Sequence, residues 1–164
     1  MRKIVIGRLL FTLFYVIVFS DMCTGQDQVA FNLQIKGNEF LQQENYIEAM
    51  KNYNQAIEIY KSKNDLSNAS LLGKLYYYRA YCKEMLEDYR GAINDFNSSI
   101  LTWNYGKVPN EAMYPSIYYY RGICKDLISD HEGACQDLSK AGELGYTEAY
   151  KRIKENCVDF LQNK

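Results

Sequence analysis

In the segment Gly37–Ile57, apolar and small residues recur at helical period and polar residues fill the positions between. Small residues stand at Gly37, Ala49 and Ala56, with aromatics between them at Phe40, Tyr46 and Tyr53. Phe40 shares the Gly37 face of one helix, while Ala49, Tyr53 and Ala56 form an i, i+4, i+7 stripe on a second. Small residues at the crossing let two antiparallel helices approach closely, and the rings fill the space beside them. Asn45 stands where the second helix needs an N-cap. The pattern therefore predicts a helical hairpin with one apolar side, a unit that cannot bury that side alone.

The pattern returns twice. Gly37, Ala49, Tyr53 and Ala56 become Ala80, Ala92, Phe96 and Ser99, then Gly122, Ala134, Leu138 and Ala141, at offsets of 12, 16 and 19 residues each time. The cap recurs as Asp88 and Asp130, followed by Tyr89 and His131 where the first copy has Tyr46. Over about residues 30–145 this resembles the tetratricopeptide repeat, whose small residue, Tyr, A-x3-F and further Ala are matched here. Leu33, Tyr76 and Tyr118 replace that repeat's usual Trp, and its closing Pro is missing from every copy.

The resemblance implies an all-α fold. The expected form is a right-handed α/α superhelical solenoid of three helix-turn-helix repeats (about 30–63, 73–106 and 115–145) with a C-terminal capping helix at about 147–162. Copies begin 43 and 42 residues apart instead of the usual 34, so the surplus lies between hairpins, at residues 64–72 and 107–114. In the first insert Leu66, Ala69, Gly73, Tyr76 and Ala80 keep a helical rhythm. They predict a backward extension of the helix by about two turns, capped by Asp65 or Ser67. The second insert holds Gly106 and Pro109 and reads as a loop, with a helix resuming near Tyr114 and Pro115 in its first turn. Beyond Gly145, Ala149, Ile153, Cys157 and Phe160 make the apolar stripe of a last, half-wet helix that would cover the open end of the solenoid.

Ahead of the repeats, residues 1–25 read as an export signal. Arg2, Lys3 and Arg8 form a basic region, Leu9–Phe19 an eleven-residue apolar core, and Ser20–Gly25 a polar end with small residues at Cys23 and Gly25. Cleavage is expected before Gln26, giving a periplasmic, cell-surface or extracellular protein with no membrane span. An uncleaved anchor and lipidation at Cys23 are the alternatives. An anchor needs about 20 apolar residues, more than this run supplies. The remaining single domain, 26–164, carries 16 basic and 19 acidic residues, with no basic block to follow a phosphate backbone. Nucleic acid is thereby disfavoured as a partner.

Catalysis has little to work with, and the chain reads as a non-enzyme that needs no cofactor. His131 is the single histidine, and it occupies a packing position. Phosphate loops, nucleophile elbows and metalloprotease motifs are missing from the sequence. A zinc site from His131, Cys124, Cys135 and Cys157 has dispersed spacing and is disfavoured. Arg79 with Asp95, and Arg121 with Asp137, read as structural ion pairs inside hairpins, and Lys83 and Lys125 as aliphatic cover over them.

Cys82 and Cys124 occupy equivalent positions in neighbouring repeats, where helices lie at least about 8–10 Å apart. A disulfide needs Cα atoms within about 7 Å, so these two read as buried thiols. Cys135 and Cys157 lie at similar distances from the Gly145 turn on antiparallel helices, which brings them level. That makes Cys135–Cys157 the expected bridge, with Cys124–Cys135 as the competing pair.

Tyrosine is the unusual feature, at 16 residues, many in two matching runs, Tyr76–Tyr78 and Tyr118–Tyr120. Tyr76 and Tyr118 take core positions, so the other rings must point elsewhere. The resemblance implies that first helices line a concave groove, here through Gln34, Asn38, Gln42, Lys74, Tyr77, Tyr81, Glu84, Tyr119 and Ile123. Aromatics with polar tips suit a peptide or protein partner. The carboxylate clamp of chaperone-binding tetratricopeptide proteins is incomplete: Asn38 fits, but Gln34, Ser116 and Tyr120 replace its basic residues. The alternative is an assembly subunit that uses its convex face or edges.

Overall fold

A single residue ends one helix and begins the next in each hairpin, and this sets the geometry of the whole chain. In the computed structural model, which describes residues 25–63, 66–107 and 113–157, the amide of Asp88 donates to the Lys83 carbonyl (2.8 Å) and that of Glu87 to the Glu84 carbonyl (2.9 Å). That is a Schellman ending. The Asp88 carboxylate then accepts from the Gly91 amide (2.9 Å) as N-cap of the following helix. Asp130 repeats both roles, donating to the Lys125 carbonyl (2.8 Å) and accepting from the Gly133 amide (3.0 Å). Asn45 does so more loosely, its side chain lying 3.3 Å from the Glu48 amide. The residue before each cap, Glu44, Glu87 or Ser129, holds φ of 57°, 63° or 67°. These are left-handed positions filled without glycine.

The described helices are α1 (25–42), α2 (Tyr46–Lys63), α3 (Ala69–Met85), α4 (Tyr89–Tyr105), α5 (Tyr114–Leu127), α6 (His131–Glu143) and α7 (Glu148–Asn156). Within hairpins α3 packs on α4 and α5 on α6. Between repeats α2 meets α3 and α4 meets α5, and α7 closes on α6. The result is a solenoid of three hairpins and a terminal helix.

Close approach at the crossings follows from the small residues. A Cβ on Gly37 would lie 2.5 Å from the Tyr53 ring, and one on Gly122 would lie 3.2 Å from the Ala134 carbonyl oxygen. Ala49, Ala56, Ala80, Ala92, Ala134 and Ala141 are all buried. Tyr53 and Phe96 fill the space beside these contacts, and Leu138 does the same in the third hairpin.

The inserts differ in part from expectation. Only one turn of α3 precedes Gly73, because residues Leu66–Asn68 form a 3-10 turn instead of a second α-helical turn. Asn68 occupies the N-cap position without a side-chain bond, one residue after Ser67, and Asp65 lies outside the described residues. The extra turn has a packing partner: buried Trp103 on α4 donates its indole N–H to the Ser70 carbonyl (3.0 Å), and Ser99 donates to the Gly73 carbonyl (2.7 Å). Pro115 does sit in the first turn of α5. The terminal helix stops at Asn156, and Cys157 is its C-cap. Residues 1–24, which hold the expected leader apart from Gly25, and Phe160 lie outside the described residues.

Candidate partner-binding groove

Two ion clusters at identical register join the hairpins and fix the helices that carry the tyrosines. Arg79 grips Asp95 through Nε and Nη2 (2.7 and 2.6 Å), and Lys83 reaches the same carboxylate at 2.8 Å. The free guanidinium nitrogen, Nη1, donates to Asn54 of the preceding repeat (2.7 Å), and the Arg79 guanidinium lies 5.4 Å from the Tyr76 ring centroid. Arg121 repeats every contact, with Asp137 (2.7 and 2.5 Å), Asn97 (2.6 Å) and the Tyr118 ring (5.2 Å), while Lys125 lies 2.8 Å from Asp137. Lys83 and Lys125 are thus ionic members of the clusters rather than aliphatic cover alone. Their sequence equivalence was visible, but their choice of carboxylate depends on helix rotation.

With α3 and α5 so placed, their tyrosines meet. Tyr120 lies 6.3 Å from Tyr77 and 6.0 Å from Tyr81, both edge-on, and bridges the two repeats. Tyr77 also packs on Phe96 (6.0 Å) and receives a long 3.5 Å contact from the Ser116 hydroxyl. Burial pushes the Tyr77 phenol up to about 12. Burial also raises Tyr120, with help from the nearby Tyr146 phenol. Tyr120 and Tyr146 were not among the expected groove residues. Tyr120 stands at a clamp position and is equivalent to Tyr78, but Tyr78 behaves differently, stacking on Tyr53 at 5.8 Å.

The other expected lining residues fall into three groups. Lys74, Tyr81, Glu84 and Ile123 are half-buried on α3 and α5. Tyr119 turns toward the chain end, 4.7 Å from Tyr146, and packs on the Cys135–Leu138–Cys157 cluster. On α1, Asn38 accepts a hydrogen bond from the Tyr53 hydroxyl (2.8 Å), Gln42 is exposed, and Gln34 is half-buried. Ser116 donates to the Met113 carbonyl (2.7 Å).

Among the described residues, two buried side-chain atoms lack a hydrogen-bond partner, Gln34 Oε1 and Glu84 Oε2. Both belong to the expected groove. Burial raises the Glu84 carboxyl to about 7. No group of three or more His, Cys, Asp or Glu residues able to hold a metal occurs among the described residues, and no described helix is long and apolar enough to cross a membrane. Cys82 and Cys124 are buried free thiols, both raised to about 12 by burial. A disulfide joins Cys135 to Cys157 with Cα atoms 5.6 Å apart and ties the end of α7 to the start of α6.

No protein-family model and no curated protein matches the sequence. Solved structures do match. The C-terminal tetratricopeptide-containing domain of a Plasmodium falciparum FK506-binding protein aligns with 86% of this chain and 93% of its own, at 20% identity and TM-score 0.67. The first tetratricopeptide domain of Spaghetti (RPAP3), bound to the HSP90 peptide SRMEEVD, aligns with 82% of this chain and 95% of its own, at 22% identity and TM-score 0.65. The TPR2B domain of yeast Sti1, in a pHsp70 complex, aligns with 84% and 99%, at 16% identity and TM-score 0.59. The chain is therefore a helical solenoid with the tetratricopeptide-repeat fold.

Proposed function

We propose that this chain is a non-catalytic protein-interaction module that holds a peptide or partner protein against the concave face formed by α3 and α5, in an exported compartment. The observation that supports the reading is the Tyr77–Tyr120–Tyr81 cluster, in which polar-tipped rings from two repeats meet. Two structural neighbours of the same fold were solved with a chaperone peptide or partner. The order of basic, apolar and polar segments in residues 1–25 supports export.

Selection of random 12-residue peptides from a display library on the purified protein tests this directly. Peptides that bind the wild type should lose affinity for Tyr81→Ala with Ile123→Ser, a pair of half-buried positions whose change should leave the helical circular dichroism intact. Equal binding to wild type and variant would sink the groove reading.

A second reading, an assembly subunit docked through its convex side, draws on Leu101 and Tyr105. These stand one turn apart on α4 and are 68% and 76% exposed. Under that reading Leu101→Ser with Tyr105→Ser abolishes association and the groove variant does not.

A further inference from the structure

Two buried acceptors on expected groove residues are left without donors among the described residues. Glu84 Oε2 and Gln34 Oε1 are both oxygens, so a ligand that satisfies them must bring N–H or O–H groups. Among the described residues Glu84 also lacks a cation. Its sequence neighbour Lys83 is committed with Arg79 to Asp95, and Lys125 and Arg121 are committed to Asp137.

Among the described residues, Glu84 interacts electrostatically with the Tyr77 phenol on its own helix and, on α5, with the Tyr120 phenol and the Cys124 thiol. Burial keeps all three protonated, so none supplies positive charge. The surroundings are therefore rings and neutral groups around one uncompensated carboxyl. A lysine or arginine head entering there would meet a carboxylate in a partly desolvated site, where a charge-assisted bond is strong, and ring faces that attract cations.

Resting on the groove reading above, we propose that Glu84 is the specificity residue of the groove and takes the basic side chain, lysine or arginine, of a bound peptide. The preference is the reverse of a site for acidic chain ends, because the position that would have to meet a ligand carboxylate is itself a carboxyl. An empty groove leaves Glu84 partly protonated near neutral pH, its carboxyl raised to about 7 by burial. Binding of the basic side chain displaces that proton, so affinity rises with pH.

The peptides selected on the purified protein provide the test. They should share a lysine or arginine at one fixed position, and its replacement by norleucine should weaken binding about tenfold or more, measured by fluorescence anisotropy. Glu84→Gln should cost a similar factor for the parent peptide, and it should leave the norleucine peptide unchanged. The dissociation constant for the wild type should fall between pH 6 and pH 8, a readout that needs no variant. Enrichment of acidic peptides, or a norleucine penalty equally large in Glu84→Gln, overturns the assignment of Glu84 while leaving the groove in place. Failure to enrich any peptide, or binding indifferent to Tyr81→Ala, overturns the groove reading and this inference with it.

Discussion

Replacing Asp95 by alanine removes the carboxylate shared by Arg79 and Lys83. Its side chain is 5% exposed, and those of Arg79 and Lys83 are 18% and 20% exposed. Exposed ion pairs contribute about 0–1 kcal/mol, whereas losing one partner of a buried pair costs about 3–5 kcal/mol because charge is left without compensation. The residual exposure lets both cations turn partly to water, which places the expected loss near the lower bound, at about 3 kcal/mol. Arg79 also loses the anchor that aims it at Asn54, so α3 is loosened from α2 as well as from α4. At roughly 3–5 °C per kcal/mol for a domain of this size, the thermal midpoint should fall by about 10 °C. Lys83→Met keeps the two-pronged Arg79 contact and an aliphatic stem, so its cost should stay below about 1 kcal/mol. Urea unfolding followed by circular dichroism at 222 nm measures both. A loss below about 1 kcal/mol for Asp95→Ala, or equal losses for the two variants, would show that the cluster is a solvated surface pair.

Gly73→Ala places a Cβ 2.1 Å from the indole nitrogen of Trp103, which is buried and hydrogen-bonded to Ser70. Forced repacking of this kind costs about 1–3 kcal/mol, and fluorescence of this single tryptophan should shift to the red. An unshifted spectrum would refute the contact. Reducing Cys135–Cys157, which spans 22 residues, should cost about 3 kcal/mol and speed amide exchange in α7 before the hairpins are affected. Uniform acceleration along the chain would contradict this order. Glu84 has a folded pKa raised to about 7 from 4.5. The folded state therefore binds more protons between these values, and stability should decline as pH rises through that window. Partial exposure of Glu84 limits the decline to about 1–2 kcal/mol. Glu84→Gln should flatten the curve, and an unchanged slope would refute the buried carboxyl.

Much of the fold could be read from register. Offsets of 12, 16 and 19 residues located the crossings, and Asp88 and Asp130 cap where the pattern put them. The paired Arg and Asp positions likewise met as expected. Three features resisted for a physical reason. The left-handed turn residues Glu44, Glu87 and Ser129 carry none of the glycine that would mark them, because the Schellman bonds hold them there. Residues 66–68 continue the helical rhythm of the sequence yet wind as a 3-10 turn, a choice that periodicity does not distinguish. Among the tyrosines, spacing gave the helix face but not the neighbour. Tyr78 and Tyr120 are equivalent in sequence, yet one stacks on Tyr53 and the other bridges Tyr77 and Tyr81.

The contacts of Arg79 with Asn54 and of Arg121 with Asn97 form a ladder in which each repeat signs onto the one before it. Its grammar needs an asparagine just after the Tyr53 or Phe96 position and an arginine just before the small residue of the next repeat. At the near end Lys36 stands where arginine would, with Asn52 in place of the aspartate. At the far end Ser139 stands where the asparagine would. A fourth hairpin set on either end would thus lack the arginine–asparagine rung that joins the existing repeats. A designer wishing to extend the ladder would begin by rewriting Lys36 and Ser139.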